Sequence, residues 1–129
     1  MKVKKLWGHE FIAVNTELYC LKLIVCRDNI WSSEGLYHMH IEKDETFIVV
    51  EGDLELDIDG NIAIYRSPQT VRIFPLTPHR FRSVSCNIME VSTEDKPEDS
   101  IRGTLEDLHH RIRVHRKAAR TGIAGLLWN

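Results

Sequence analysis

Apolar and polar residues alternate strictly over positions 54–59, where Leu54, Leu56 and Ile58 interleave with Glu55, Asp57 and Asp59. A period of two with one wet face predicts a half-buried β-strand. Just before it, Thr46-Phe47-Ile48-Val49-Val50 is a compact β-branched run that Glu51-Gly52-Asp53 is expected to end. Asp59-Gly60-Asn61 predicts a hairpin turn, because Gly and Asn tolerate positive φ. Residues 62–65 return from that turn until Ser67-Pro68 breaks the pattern. Residues 18–26 form a longer apolar, β-prone stretch closed by Arg27-Asp28-Asn29, and Val71, Ile73, Phe81, Val84 and positions 88–91 supply further strands. Many short strands at close spacing predict an all-β sandwich or barrel.

The pattern changes after about residue 93. Thr93-Glu94-Asp95-Lys96-Pro97-Glu98-Asp99 is polar and proline-marked, so it reads as a loop. Thr104-Leu105-Glu106-Asp107 then has the form of a helix start, with a capping threonine and an acid three residues on. Leu105, Leu108 and Ile112 recur at helical spacing. Arg111, Arg113, Arg116, Lys117 and Arg120 make this helix basic, as a solvated face or an arm on a partner subunit. His109 and His110 read as solvated surface. The tail 121–129 is apolar with two glycines and is assigned no place.

At 129 residues the chain is about one domain long and can bury a core unaided. With 43% apolar and 28% charged residues and a formal net charge of -2, nothing drives it globally toward nucleic acid or membrane. The basic helix has no aromatic residues interleaved with its charges, so nucleic acid is not an expected partner. The apolar runs are too short to span a bilayer. The basic amino terminus lacks the apolar stretch of a secretory signal, so a cytoplasmic location is expected. Cys20 and Cys26 fall on one strand, roughly 20 Å apart at strand rise, too far to bridge. With Cys86 they make an odd count without a CxxC pair, which predicts buried reduced thiols.

One constellation carries chemistry. Gly35-Leu36-Tyr37-His38-Met39-His40 is followed after four residues by Glu45 and after six more by Gly52. In an extended strand His38 and His40 project onto one face, and a turn through Ile41-Glu42-Lys43-Asp44 brings Glu45 beside them. Phe74-Pro75-Leu76-Thr77-Pro78-His79 places a third imidazole at the start of a later strand. Three imidazoles and a carboxylate suit one divalent ion such as Zn, Mn, Fe, Co or Ni.

The stretch Gly35-x2-His38-x-His40-x4-Glu45-x6-Gly52 resembles the first cupin motif, with a shorter gap between the glycine and the first histidine. Phe74-Pro75-Leu76-Thr77-Pro78-His79-Arg80-Phe81 is similar to the second, with Leu76 where that motif commonly has glycine and Phe74 where it has proline. Trp7-Gly8-His9-Glu10, Tyr19-x2-Lys22, Thr77-Pro78-His79-Arg80, Met89-Glu90-Val91-Ser92-Thr93 and Glu98-Asp99-Ser100-Ile101-Arg102 further resemble the cupin domain of type II mannose-6-phosphate isomerases and lyxose-isomerase-like sugar cupins. Those mannose-6-phosphate isomerases commonly carry a glutamine where this chain has His38. The resemblance spans roughly residues 7–102. It implies a single cupin (jelly-roll) barrel over 1–102, followed by a short helix and tail over 103–129.

The same resemblance implies aldose–ketose isomerisation through a cis-enediol, with a metal-bound sugar or sugar phosphate as the small-molecule substrate. Glu90 and Lys22 match positions that the family turns into its barrel, so they are the candidate catalytic groups. Arg102 is a candidate for binding a phosphate or carboxylate, with Tyr37 and Arg80 as further substrate contacts and His9 at the pocket mouth. Other readings stay open: Lys22 reaching solvent along its stem, and Glu90 paired structurally with Lys22 or Arg80. A cupin oxygenase and a non-catalytic sugar- or ligand-binding cupin stand as alternative functions. A homodimer paired through sheet edges is the expected assembly.

Overall fold

The computed structural model describes residues 1–122. Ten strands precede one helix: β1 (Lys2–Lys5), β2 (Gly8–Asn15), β3 (Cys20–Arg27), β4 (Tyr37–His40), β5 (Glu45–Ile58), β6 (Asn61–Arg66), β7 (Thr70–Ile73), β8 (His79–Arg82), β9 (Ser85–Ser92), β10 (Ser100–Gly103) and α1 (Leu105–Thr121). One curled antiparallel sheet runs in the order β1-β2-β3-β9-β5-β7 and a second in the order β6-β5-β8-β4-β10, so the long β5 belongs to both. The all-β barrel with a short C-terminal helix expected from the strand pattern is what the chain forms.

The expected break at Glu51-Gly52-Asp53 is corrected: β5 runs through it for 14 residues. Gly52 takes φ +82, and the register with β9 slips between Val49 and Glu51. A Cβ on Gly52 would lie 2.2 Å from the Ser85 carbonyl oxygen, so only glycine lets the strand bend here and cross to the other sheet. The Asp59-Gly60 hairpin forms as expected, with φ +54 and +89. Val84 lies outside the strands, exposed in the turn between β8 and β9. Strands β1, β2 and β10 were not among the expected elements.

Inside the barrel each strand changes character along its length. On β3 the inward row is Cys20, Lys22, Ile24 and Cys26; on β9 it is Cys86, Ile88 and Glu90; on β5 it begins Glu45, Phe47, Val49. One end is therefore an apolar core of Trp7, Ile24, Phe47, Leu54, Phe81 and Ile88, with the Trp7 and Phe81 rings edge to face at 5.0 Å. The other end is charged. All three cysteines are buried and free.

Helix α1 opens where Thr104 Oγ1 accepts from the Asp107 amide at 3.1 Å and closes on Gly122 in the left-handed conformation. Its Leu108 and Ile112 bury against Met39 of β4, making a second apolar cluster outside the barrel. His109 lies at the solvated surface as expected, and there it pairs with Asp59 and ties the helix to the β5–β6 hairpin. The tail beyond residue 122 lies outside the described residues. Among those residues no helix is long and apolar enough to cross a membrane.

Candidate metal centre

Period-two geometry turns His38 and His40 of β4 into the barrel, while Met39 between them faces α1. His79 opens β8 directly opposite His38, and the two rings are 4.1 Å apart between centroids. The loop that delivers His79 keeps a left-handed residue at Leu76 (φ +58), and the Leu76 amide donates to the His40 carbonyl at 2.7 Å. A β-carbon is thus tolerated at the position where the resembled motif has glycine, and the imidazole still arrives in place.

Glu45 opens β5. The turn before it is fixed by the buried Asp99, whose carboxylate accepts from the amides of Glu42 (2.8 Å) and Lys43 (2.9 Å).

One ligand atom from each of His38, His40, Glu45 and His79 can be chosen so that all four lie within 4.8 Å of one another, an arrangement that could hold a metal ion. His79 donates Nδ1–H to the Thr77 carbonyl at 2.8 Å, leaving Nε2 as the lone-pair nitrogen, 3.1 Å from Glu45 Oε1. Two acceptors facing each other at that distance repel unless a proton or a cation sits between them. His40 Nε2 is 3.5 Å from Glu45 Oε2, and His38 Nδ1 is held by Ser33 Oγ at 3.0 Å. His40 Nδ1 and His79 Nε2 are buried without a hydrogen-bond partner. Orphaned ring nitrogens around a carboxylate fit a borderline divalent cation well.

Burial, with the neighbouring imidazoles, pushes His38 well below the usual histidine range. Burial and the Lys43 ammonium take His40 down to about 4. Both rings are therefore neutral near pH 7, the form that ligates a metal. Burial alone would raise Glu45, but the surrounding His79, Lys43 and His40 hold its carboxyl well below the usual range. Burial and the Glu45 charge raise Glu90 above the usual carboxylate range, against the pull of Lys43 and Lys22.

A charged network surrounds the cluster. Lys43 Nζ lies 3.0 Å from Glu45 Oε2, 3.1 Å from Glu90 Oε2 and 3.2 Å from Asp95 Oδ1. Lys22 Nζ lies 2.8 Å from Asp95 Oδ2 and 3.7 Å from Glu10 Oε1. Within this network four carboxylates face two ammoniums, and Lys5, Lys96 and Arg102 add positive charge on the wall of the cavity beside it.

Cluster and network open into one cavity of about 420 Å3, with Arg102 and Ser100 of β10 also on its wall. Glu90, Lys22 and Arg102 line this cavity together with His38, His40 and Glu45, whereas His79 is fully buried and is not on its wall. Tyr37 and Arg80 are not on that cavity's wall. Each adjoins an inward histidine in sequence and so faces outward, where the Tyr37 hydroxyl and Arg80 Nε (3.0 Å) both bond the buried Asp57 carboxylate. Arg80 also lies over the Trp31 and Tyr37 rings. His9 turns outward too, into a separate hollow with Lys2, Lys4 and Arg27. Lys43, Asp95, Glu10 and Ser33 were missed. Lys43 stands two residues before Glu45, the one spacing legible in the sequence; Asp95 and Ser33 sit on irregular backbone and give none.

No protein-family model matches this sequence, and no curated protein matches it. Solved structures with a similar fold include KdgF from Halomonas sp., at 13% identity over 70% of this chain and 81% of that one, with a TM-score of 0.61. A Streptomyces Pac13 variant with uridine matches at 9% identity over 81% and 84% of the two chains, TM-score 0.71; Pac13 is described as a nucleoside dehydratase. The cupin domain of an XRE-family transcriptional regulator from Enterobacter cloacae matches at 18% identity over 67% of this chain and 96% of that one, TM-score 0.56. At these identities the likeness shows the fold, a cupin barrel.

Proposed function

We propose that this cupin barrel is a metal-dependent enzyme that holds one divalent cation on His38, His40, Glu45 and His79 and interconverts an aldose and a ketose, free or phosphorylated. The observation that carries this reading is Glu90, a buried carboxylate raised above its ordinary range in the same cavity as the ligand cluster. A carboxylate tuned toward neutrality is a general base suited to abstracting a proton from carbon. A cation bound at the cluster supplies Lewis acidity, stabilising the negative charge of a cis-enediolate.

The chain's own groups do the rest. Glu90 takes the proton from C2 and returns it to C1, while the hydroxyl proton on O2 passes to O1, so that both isomers have the same composition. Lys43 and Lys22 keep the surrounding carboxylates compensated, and the barrel's apolar floor of Phe47, Phe81 and Ile24 limits water around the reacting carbons. Arg102 at the wall suits an anionic group at the far end of the sugar.

The test is elemental analysis of the protein purified without chelator, beside a His40→Ala variant, followed by deuterium uptake from D2O into a panel of aldoses and their phosphates. Near one metal per chain, lost in the variant, with solvent deuterium at C2, is expected. Substoichiometric metal in the unaltered protein, or no exchange with any sugar, overturns the reading. A second reading, abstraction of the same proton followed by loss of a neighbouring hydroxyl, draws on the fold shared with the nucleoside dehydratase Pac13. It is distinguished by a product lighter by one water.

A further inference from the structure

Lys43 is a lysine in a surface turn whose ammonium nonetheless points inward and is 3% exposed. Burying an ammonium is costly unless it is fully compensated. Here its backbone is clamped by Asp99 and its head meets carboxylates from three separate segments: Glu45 at the start of β5, Glu90 on β9 and Asp95 in the loop that follows.

The three contacts are not equivalent. Glu90 and Asp95 receive directed hydrogen bonds, at 3.1 and 3.2 Å. Glu45 Oε2 is close, at 3.0 Å, but takes no directed bond and keeps its lone pairs for the cluster. The other buried ammonium, Lys22, pairs with Asp95 and Glu10 and makes no ion pair with Glu45 or Glu90 among the described residues. Lys43 is therefore the direct electrostatic link between a candidate ligand and the candidate base.

We propose that Lys43 is a positioning residue that couples the two: one ammonium is shared between Glu90, Asp95 and Glu45, so that the cation site and the base form one linked unit. This rests on the metal-dependent reading above. With Glu90 in place, the ammonium's directed hydrogen bonds go to Glu90 and Asp95. When Glu90 is removed, the ammonium turns to Glu45 and competes with the incoming cation. Such linkage is reciprocal, so a bound cation in turn releases Lys43 toward Glu90 and steadies the base.

A double-mutant cycle on cobalt(II) affinity, measured by titration calorimetry with the full chain, reads this coupling without requiring turnover. Glu90→Gln is expected to weaken cobalt binding at least ~10-fold when Lys43 is present and no more than ~3-fold in a Lys43→Met background, the residue being through-space attraction alone. Lys43→Arg, which keeps the charge, restores most of the difference. Equal effects of Glu90→Gln in both backgrounds overturn the proposal. If circular dichroism shows Lys43→Met unfolded, Lys43→Gln takes its place in the cycle. Absence of cobalt binding by the unaltered chain overturns both the coupling and the metal site. An intact cycle without deuterium exchange overturns only the isomerase reading.

Discussion

Imidazoles shut into a barrel must stay neutral there, and that has a pH signature in the metal-free protein. His40 is held at about 4 by burial and the neighbouring Lys43, and His38 shifts in the same direction. The unfolded chain takes up protons near 6.5, whereas the folded one refuses them until the pH approaches 4. Stability is therefore fully present above about pH 6.5 and lost as pH falls toward 4, by up to about 3 kcal/mol for His40. Urea midpoints in EDTA at pH 7.5, 6 and 5 should fall steadily, with a shallower fall in His40→Asn; identical slopes would refute the assignment. At this scale the candidate ligands were legible because the parity of a strand is rigid. His38 and His40 share a face whatever surrounds them, and His79 follows proline-fixed backbone. The same rule turns Tyr37 and Arg80 outward, because each adjoins a ligand in sequence. Nothing local announces Asp95, whose carboxylate reaches Lys22 and Lys43 from a loop and acquires its role only from tertiary contact.

Among the elements, β5 decides the architecture, since its first half pairs with β7 and β9 and its second half with β6 and β8. The bend at Gly52 is what allows both. Gly52→Ala would put a Cβ at φ +82 and 2.2 Å from the Ser85 carbonyl oxygen, so strand and neighbour must separate. The conformational cost is about 1–2 kcal/mol, and the clash with backbone adds to it. We expect the unfolding free energy from urea titration to fall by at least that amount while α1 stays helical; an unchanged value would mean that the bend does not need glycine. A glycine between two apolar runs has the same appearance in sequence whether it ends a strand or bends one, so the single strand was read as two. Strands β1, β2 and β10 escaped for another reason. They lie at or near the sheet edges, where residues such as Phe11 and Arg102 are exposed and apolar alternation is weak. The start of α1 was legible because its cap is local chemistry, Thr104 accepting from the Asp107 amide.

For the molecule as a whole, the candidate ligands join segments that folding must bring together across long stretches of chain. His38, His40 and His79 belong to the second sheet, and Glu45 stands at the end of β5 that lies in the first. A cation bound by all four cross-links the two sheets at the charged mouth, the end that lacks the apolar packing of Phe47, Phe81 and Trp7. The unfolded chain presents the same groups far apart, so binding should favour the native state almost exclusively. At free cation a hundredfold above its Kd this linkage contributes about 2.7 kcal/mol, which for a chain of this size raises Tm by about 10 °C. The rise should continue with the logarithm of cation concentration, reverse with EDTA and disappear in His79→Ala. A Tm indifferent to cation would mean that the three rings and the carboxylate are held together by the barrel alone. Glu90 would then have no Lewis acid to work beside.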